Sequence, residues 1–144
     1  MYKRQDLALA LCDGEPVTVE GEGAITRSTS LDWVKAEATF DNGFTALFDS
    51  SRVAEARERT MKVVYPSGEV EVDFLARTFR NTTPFALNPD YADTPAAKDP
   101  LGASVEGFLM AVRGEAPRPV VTAAEAIAAL DLALAVEQAL EDAG

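Results

Sequence analysis

Between Trp33 and Phe48 the chain alternates apolar and polar residues on both sides of Asp41-Asn42-Gly43. Val34, Ala36, Ala38 and Phe40 fall on one side of the first run, and Trp33, Lys35, Glu37 and Thr39 on the other, the period of two that marks a half-buried strand. Asn-Gly between two such runs is the strongest short-range hairpin signal, because both turn residues take positive φ there. The return run is expected to bury Phe44, Ala46 and Phe48. A second pair repeats the pattern: Met61, Val63 and Tyr65 lead to a turn at Pro66-Ser67-Gly68, and Val70, Val72 and Phe74 return opposite Glu69, Glu71 and Asp73. Two hairpins with one apolar face each predict an open, mostly antiparallel β-sheet with helices packed on one face, an α+β fold.

Flanking segments supply candidates for the cover. Leu7, Leu9 and Leu11 fit the end of a buried helix stopping at Asp13-Gly14, although the same alternation suits a strand. Pro16 to Gly23 reads as a short strand leaving into a glycine-rich turn. Gly21-Glu22-Gly23 is not a dinucleotide loop, because Thr26 stands at the third glycine position and no helix pattern follows. Residues 81–98, with Pro84, Pro89 and Pro95, show no periodicity, and a connection of that length inside a domain is usually functional or mobile. Asp99-Pro100 then reads as an N-cap with proline in the first turn. The stripe Leu101, Val105, Phe108 and Val112 follows and ends at Gly114. Thr122 and Glu125 have capping-box spacing. The last helix carries Ile127, Leu130 and Leu134 on one side and Leu132, Val136 and Leu140 on another, so it is expected to be sandwiched.

Composition narrows the function classes. The 144 residues are one domain by length, with 47% hydrophobic and 26% charged residues as in an ordinary globular protein. A net charge of −11 argues against nucleic acid and anionic membrane as main partners. Cys12 is the only cysteine, so no intrachain disulfide forms and a cytoplasmic location is the default expectation. Histidine is absent, which removes the usual catalytic triads, the common zinc motifs and the one side chain that ordinarily titrates near neutrality. Lys3 and Arg4 ahead of Leu7 to Cys12 do not make a lipoprotein signal, because Asp6 breaks the apolar run and Leu11 stands where a small residue should precede the cysteine. Met1 to Gln5 reads as an adapter scar, Tyr-Lys-Arg-Gln being encoded by one frame of a transposon-end sequencing adapter; a genuine basic N-terminus is the alternative.

Local chemistry is sparse. Arg52, Arg57, Arg59, Arg77 and Arg80 border the strands and could fork onto a carboxylate or phosphate, against the plainer reading of a solvated rim. Asp90 and Asp93 are too loosely spaced for a calcium loop. From its residues alone the chain is a module without a complete active site.

The segments DLALAL, ATFDNGFTALFDSSRV, RTMKVVYPSGEVEVD, DPLGASVEGFLMAVRGEAPRPVV and AIAALDLALAVEQAL, in this order, resemble the C-terminal domain of the glucose-fructose oxidoreductase, inositol dehydrogenase and MocA (Gfo/Idh/MocA) family. The similarity runs from about Asp6 to the end, residues 6–144. It implies a glyceraldehyde-3-phosphate-dehydrogenase-like C-terminal domain beside an N-terminal Rossmann domain that binds NAD or NADP. The family's catalytic histidine belongs to a His-Asp-Ile-Asp run. Aligned on Asp6, that histidine falls at Lys3, so this chain is expected to hold no catalytic residue, cofactor site or metal site of its own. If the parent is such an oxidoreductase, Arg77, Arg80 and residues 81–98 are where substrate contacts are expected, an ordered structural loop being the equal alternative.

Two function classes follow. In the first, the chain is the C-terminal part of an NAD(P)-dependent oxidoreductase acting on a sugar, polyol or related hydroxylated substrate, contributing pocket wall and a homo-oligomer interface. In the second, it is a stand-alone, non-enzymatic ligand-binding or dimerisation module. Trp33, Thr45, Leu47 and Val64, expected away from the helices, would form the partly apolar interface.

Overall fold

The computed structural model describes residues 3–142, without the side chains of Lys3 and Arg4. The chain divides into two units, Met1–Glu55 with Val121–Gly144, and Ala56–Val120. Among the described residues, six strands form two three-stranded antiparallel sheets, one in each unit. The α+β class and the antiparallel pairing are as the sequence implies, whereas the strands fall into two ladders where the alternation alone was compatible with one.

In the first unit, α1 (Lys3–Leu11) leads into β1 (Pro16–Ala24), β2 (Trp33–Phe40) and β3 (Thr45–Ser51), and α4 (Ala123–Asp142) closes the unit. The helical reading of Leu7 to Leu11 therefore prevails over the strand. The sheet order is β1-β2-β3. Along β2, Val34, Ala36, Ala38 and Phe40 are all buried while Lys35 and Glu37 are exposed. The hairpin turn differs from the expected geometry: Gly43 alone takes positive φ, at 82°. Phe40 N–H donates to Phe44 O at 2.9 Å, and Asn42 Oδ1 accepts from Phe44 N–H at 3.0 Å, so the asparagine side chain completes a wider loop.

The core of this unit forms where α4 lies on the sheet. Leu132 and Val136 pack with Val34, Ala36, Ala38, Phe40, Ala46 and Phe48, and Leu9 and Leu140 border them. Small residues on the strands bring helix and sheet together. The glycines at 21 and 23 belong to this arrangement, because β1 runs through both instead of turning there. They pair opposite Ala36 and Val34, and a methyl group at Gly23 would meet Trp33 O at 2.8 Å and Leu140 at 3.4 Å. α4 packs against both β1 and α1, and its cover is partial: Leu132 is 2% exposed, but Ile127 is 59% exposed. The capping box stands as expected, with Thr122 N–H donating to Glu125 Oε2 at 2.8 Å.

Asp32 organises the loop before β2. Its carboxylate, buried at 2% exposure, accepts from the N–H groups of Thr26 (2.7 Å), Arg27 (2.5 Å) and Ser28 (3.1 Å) and from the Ser28 hydroxyl (2.8 Å). Those donors hold its carboxyl far below the usual range, since each bond favours the ionised form.

In the second unit, β4 (Thr60–Tyr65), β5 (Gly68–Asp73) and β6 (Thr78–Asn81) are followed by a 3-10 turn (Tyr91–Asp93), α2 (Pro95–Lys98) and α3 (Pro100–Val112). The strand β6 had no visible period in the sequence. Residues 81–98 carry structure after all and send two aromatic rings onto the sheet, Phe85 at 5.1 Å from Tyr65 and Tyr91 at 5.7 Å from Phe79. Asp99 caps α3, its Oδ1 accepting from Gly102 N–H at 2.9 Å. The expected cover by α3 is not found. Leu101, Val105, Phe108 and Val112 are between 51% and 75% exposed, and no residue from 56 to 120 is buried. Amphipathic spacing states that a face requires cover, but not which surface supplies it.

Candidate functional site

Antiparallel register places side chains that are directly opposite on the same sheet face. In the second sheet it aligns Lys62, Glu71 and Arg80 across three strands, with Glu69 opposite Val64 one step along. Lys62 Nζ lies 2.6 Å from Glu69 and 3.4 Å from Glu71. Arg80 Nη2 lies 3.1 Å from Glu71 and also pairs with Glu69. Two cations thus share two carboxylates. The opposite face carries Met61, Val72 and Phe79, the face that Tyr91 and Phe85 cover.

The cluster borders a shallow depression of about 520 Å³ whose lining includes Thr60, Lys62, Glu71, Asp73, Thr78 and Arg80. Hydrogen bonds from the two cations hold Glu69 and Glu71 below the ordinary glutamate range, and the same bonds raise Lys62 and Arg80. All four groups therefore stay charged around neutrality. Such a surface can donate and accept hydrogen bonds to a hydroxylated ligand, but it offers no group poised to exchange a proton near pH 7.

Of the residues singled out in the sequence, Arg80 sits in this cluster and Arg77 does not. Arg77 lies in the turn between β5 and β6 at φ 57°, exposed and with no ion pair among the described residues. Asp73 Oδ1 shapes that turn by accepting from Leu75 N–H (2.8 Å) and Ala76 N–H (2.9 Å). Lys3 opens α1, and its side chain lies outside the described residues, as do Met1 and Tyr2. Sequence reading missed Lys62, Glu69 and Glu71. Their signal was present in the opposed charges flanking Pro66-Ser67-Gly68, once the hairpin register is counted out.

The first sheet's outer face is also charged. Glu20, Glu37 and Leu47 form one row, and Glu22, Lys35 and Asp49 the next, around a depression of about 590 Å³. Leu47 is 75% exposed there and Thr45 is exposed, while Trp33 is half-buried; Val64, on the second sheet, is 71% exposed. On the first sheet the expected apolar patch comes down to exposed Leu47 and half-buried Trp33 on a face that also carries Glu20, Glu22, Lys35, Glu37 and Asp49. Among the described residues no cluster of metal-ligating side chains occurs, and no helix is long and apolar enough to cross a membrane.

No family model and no curated protein matches the sequence. Solved structures do. UDP-N-acetylglucosamine 3-dehydrogenase GnnA from Acidithiobacillus ferrooxidans is 28% identical, with a TM-score of 0.82 over 99% of this chain and 46% of that one. The fold is that of the C-terminal domain of Gfo/Idh/MocA-type dehydrogenases. Two further structures share this fold. The WlbA dehydrogenase from Bordetella pertussis, solved in complex with NADH and UDP-GlcNAcA, is 16% identical with a TM-score of 0.74, over 97% of this chain and 44% of that one. Aldose-aldose oxidoreductase from Caulobacter crescentus is 21% identical with a TM-score of 0.72, over 96% and 44%. This chain spans less than half the length of each.

The segment of this chain with closely spaced glycines does not fit a dinucleotide. Phosphates are held by a glycine loop opening onto a helix N-terminus, whereas Gly21 and Gly23 are paired within β1, where their missing side chains admit Leu140 of α4.

Proposed function

We propose that this chain is the C-terminal part of an NAD(P)-dependent oxidoreductase acting on a sugar, a polyol or a related hydroxylated substrate. In this reading it supplies pocket wall and a homo-oligomer interface and transfers no hydride alone. The observation that carries the proposal is the match of nearly the whole chain to under half of a sugar-nucleotide dehydrogenase at 28% identity. NADH and UDP-GlcNAcA bound to WlbA support a nicotinamide cofactor and a glycosyl substrate for the parent protein.

The chemistry agrees with a division of labour. Bound nicotinamide supplies or accepts the hydride, and the protein must set it against the substrate carbon with a proton acceptor beside it. This chain has no histidine, and its charged cluster is held ionised on every member. The proton acceptor and the dinucleotide cradle then belong to an N-terminal Rossmann domain as the chief partner, in the cytoplasm. In this reading Arg77, exposed and with no ion pair among the described residues, meets a hydroxyl or anionic group of the substrate, and Arg80 does so only by leaving Glu69 and Glu71.

Incubating the chain with NAD or NADP and either UDP-N-acetylglucosamine or myo-inositol should form no reduced nicotinamide. Turnover by this chain alone would overturn the proposal.

A further inference from the structure

We draw no further inference here: the strongest candidate, the exposed apolar stripe of Leu101, Val105, Phe108 and Val112 along α3, carries nothing because no feature of the structure shows what covers it.

Discussion

Arg80 on β6 reaches Glu71, its direct register partner on β5, with Nε at 3.2 Å and Nη2 at 3.1 Å from the same carboxylate oxygen. Sharing Glu71 and Glu69 with Lys62 gives each carboxylate two cations, and the pH dependence follows. Both carboxyls are lowered on folding, so their contribution is complete above the ordinary value of 4.5 and is lost as pH falls through their folded values. Lys62 is raised, so its share is complete below 10.5 and is lost as pH rises through its folded value. Arg80→Ala should destabilise the protein slightly between these limits, with the difference vanishing in strong acid and in about 1 M salt. Urea unfolding across pH and salt checks this; a difference that persists in acid would contradict it.

Gln5 is 1% exposed and its Oε1 has no hydrogen-bond partner among the described residues. A buried unpaired carbonyl costs about 1–3 kcal/mol. Gln5→Ile should raise stability by about that amount, and thermal unfolding reads it directly. An unchanged or lower melting temperature would count against the apolar site.

Removing the Asp32 carboxylate should release the loop it holds. In Asp32→Ala the amides of Thr26, Arg27 and Ser28, all donors to that group, should exchange with solvent roughly tenfold faster or more, the order expected for losing a charge-assisted bond. The wild type should show the same loosening only in acid, because the lowered carboxyl keeps its bonds above its ordinary value of 3.8 and loses them as pH falls through its folded value. Hydrogen exchange followed by NMR separates the two cases.

Two substitutions two residues apart test which side of α4 is buried. Leu132→Ala should cost about 2–5 kcal/mol, and Leu130→Ala, at 44% exposure, less than about 1 kcal/mol. Gly23→Ala should also destabilise, by about 1–3 kcal/mol, because its methyl group would meet the Trp33 carbonyl at 2.8 Å. Equal losses at 130 and 132 would contradict the packing.

The local features of this fold were legible because they are written in short periods. Alternation around Asp41-Asn42-Gly43 and Pro66-Ser67-Gly68 marked four strands, and Asp99 and Thr122 marked two helix starts. What pairs with what was less visible. The four residues of β6 are too few for a period, and its place beside β5 is a long-range choice. Gly21 and Gly23 look like a turn until α4, over a hundred residues away in sequence, is seen to lie against them. The burial of Gln5 and the exposure of the α3 stripe are likewise decided by tertiary surroundings. At the site, Arg80 stood out only as one of five arginines bordering the strands; the register shows that two glutamates and a lysine share its face.

The most direct test of the proposed parentage is a long read of the source DNA through the codon of Asp6 and upstream of it. The account predicts that the frame continues through a histidine at the position of Lys3 and back to a strand, a glycine-rich loop and a helix. A stop codon and ribosome-binding site immediately ahead of Met1 would contradict it and make the chain a module in its own right.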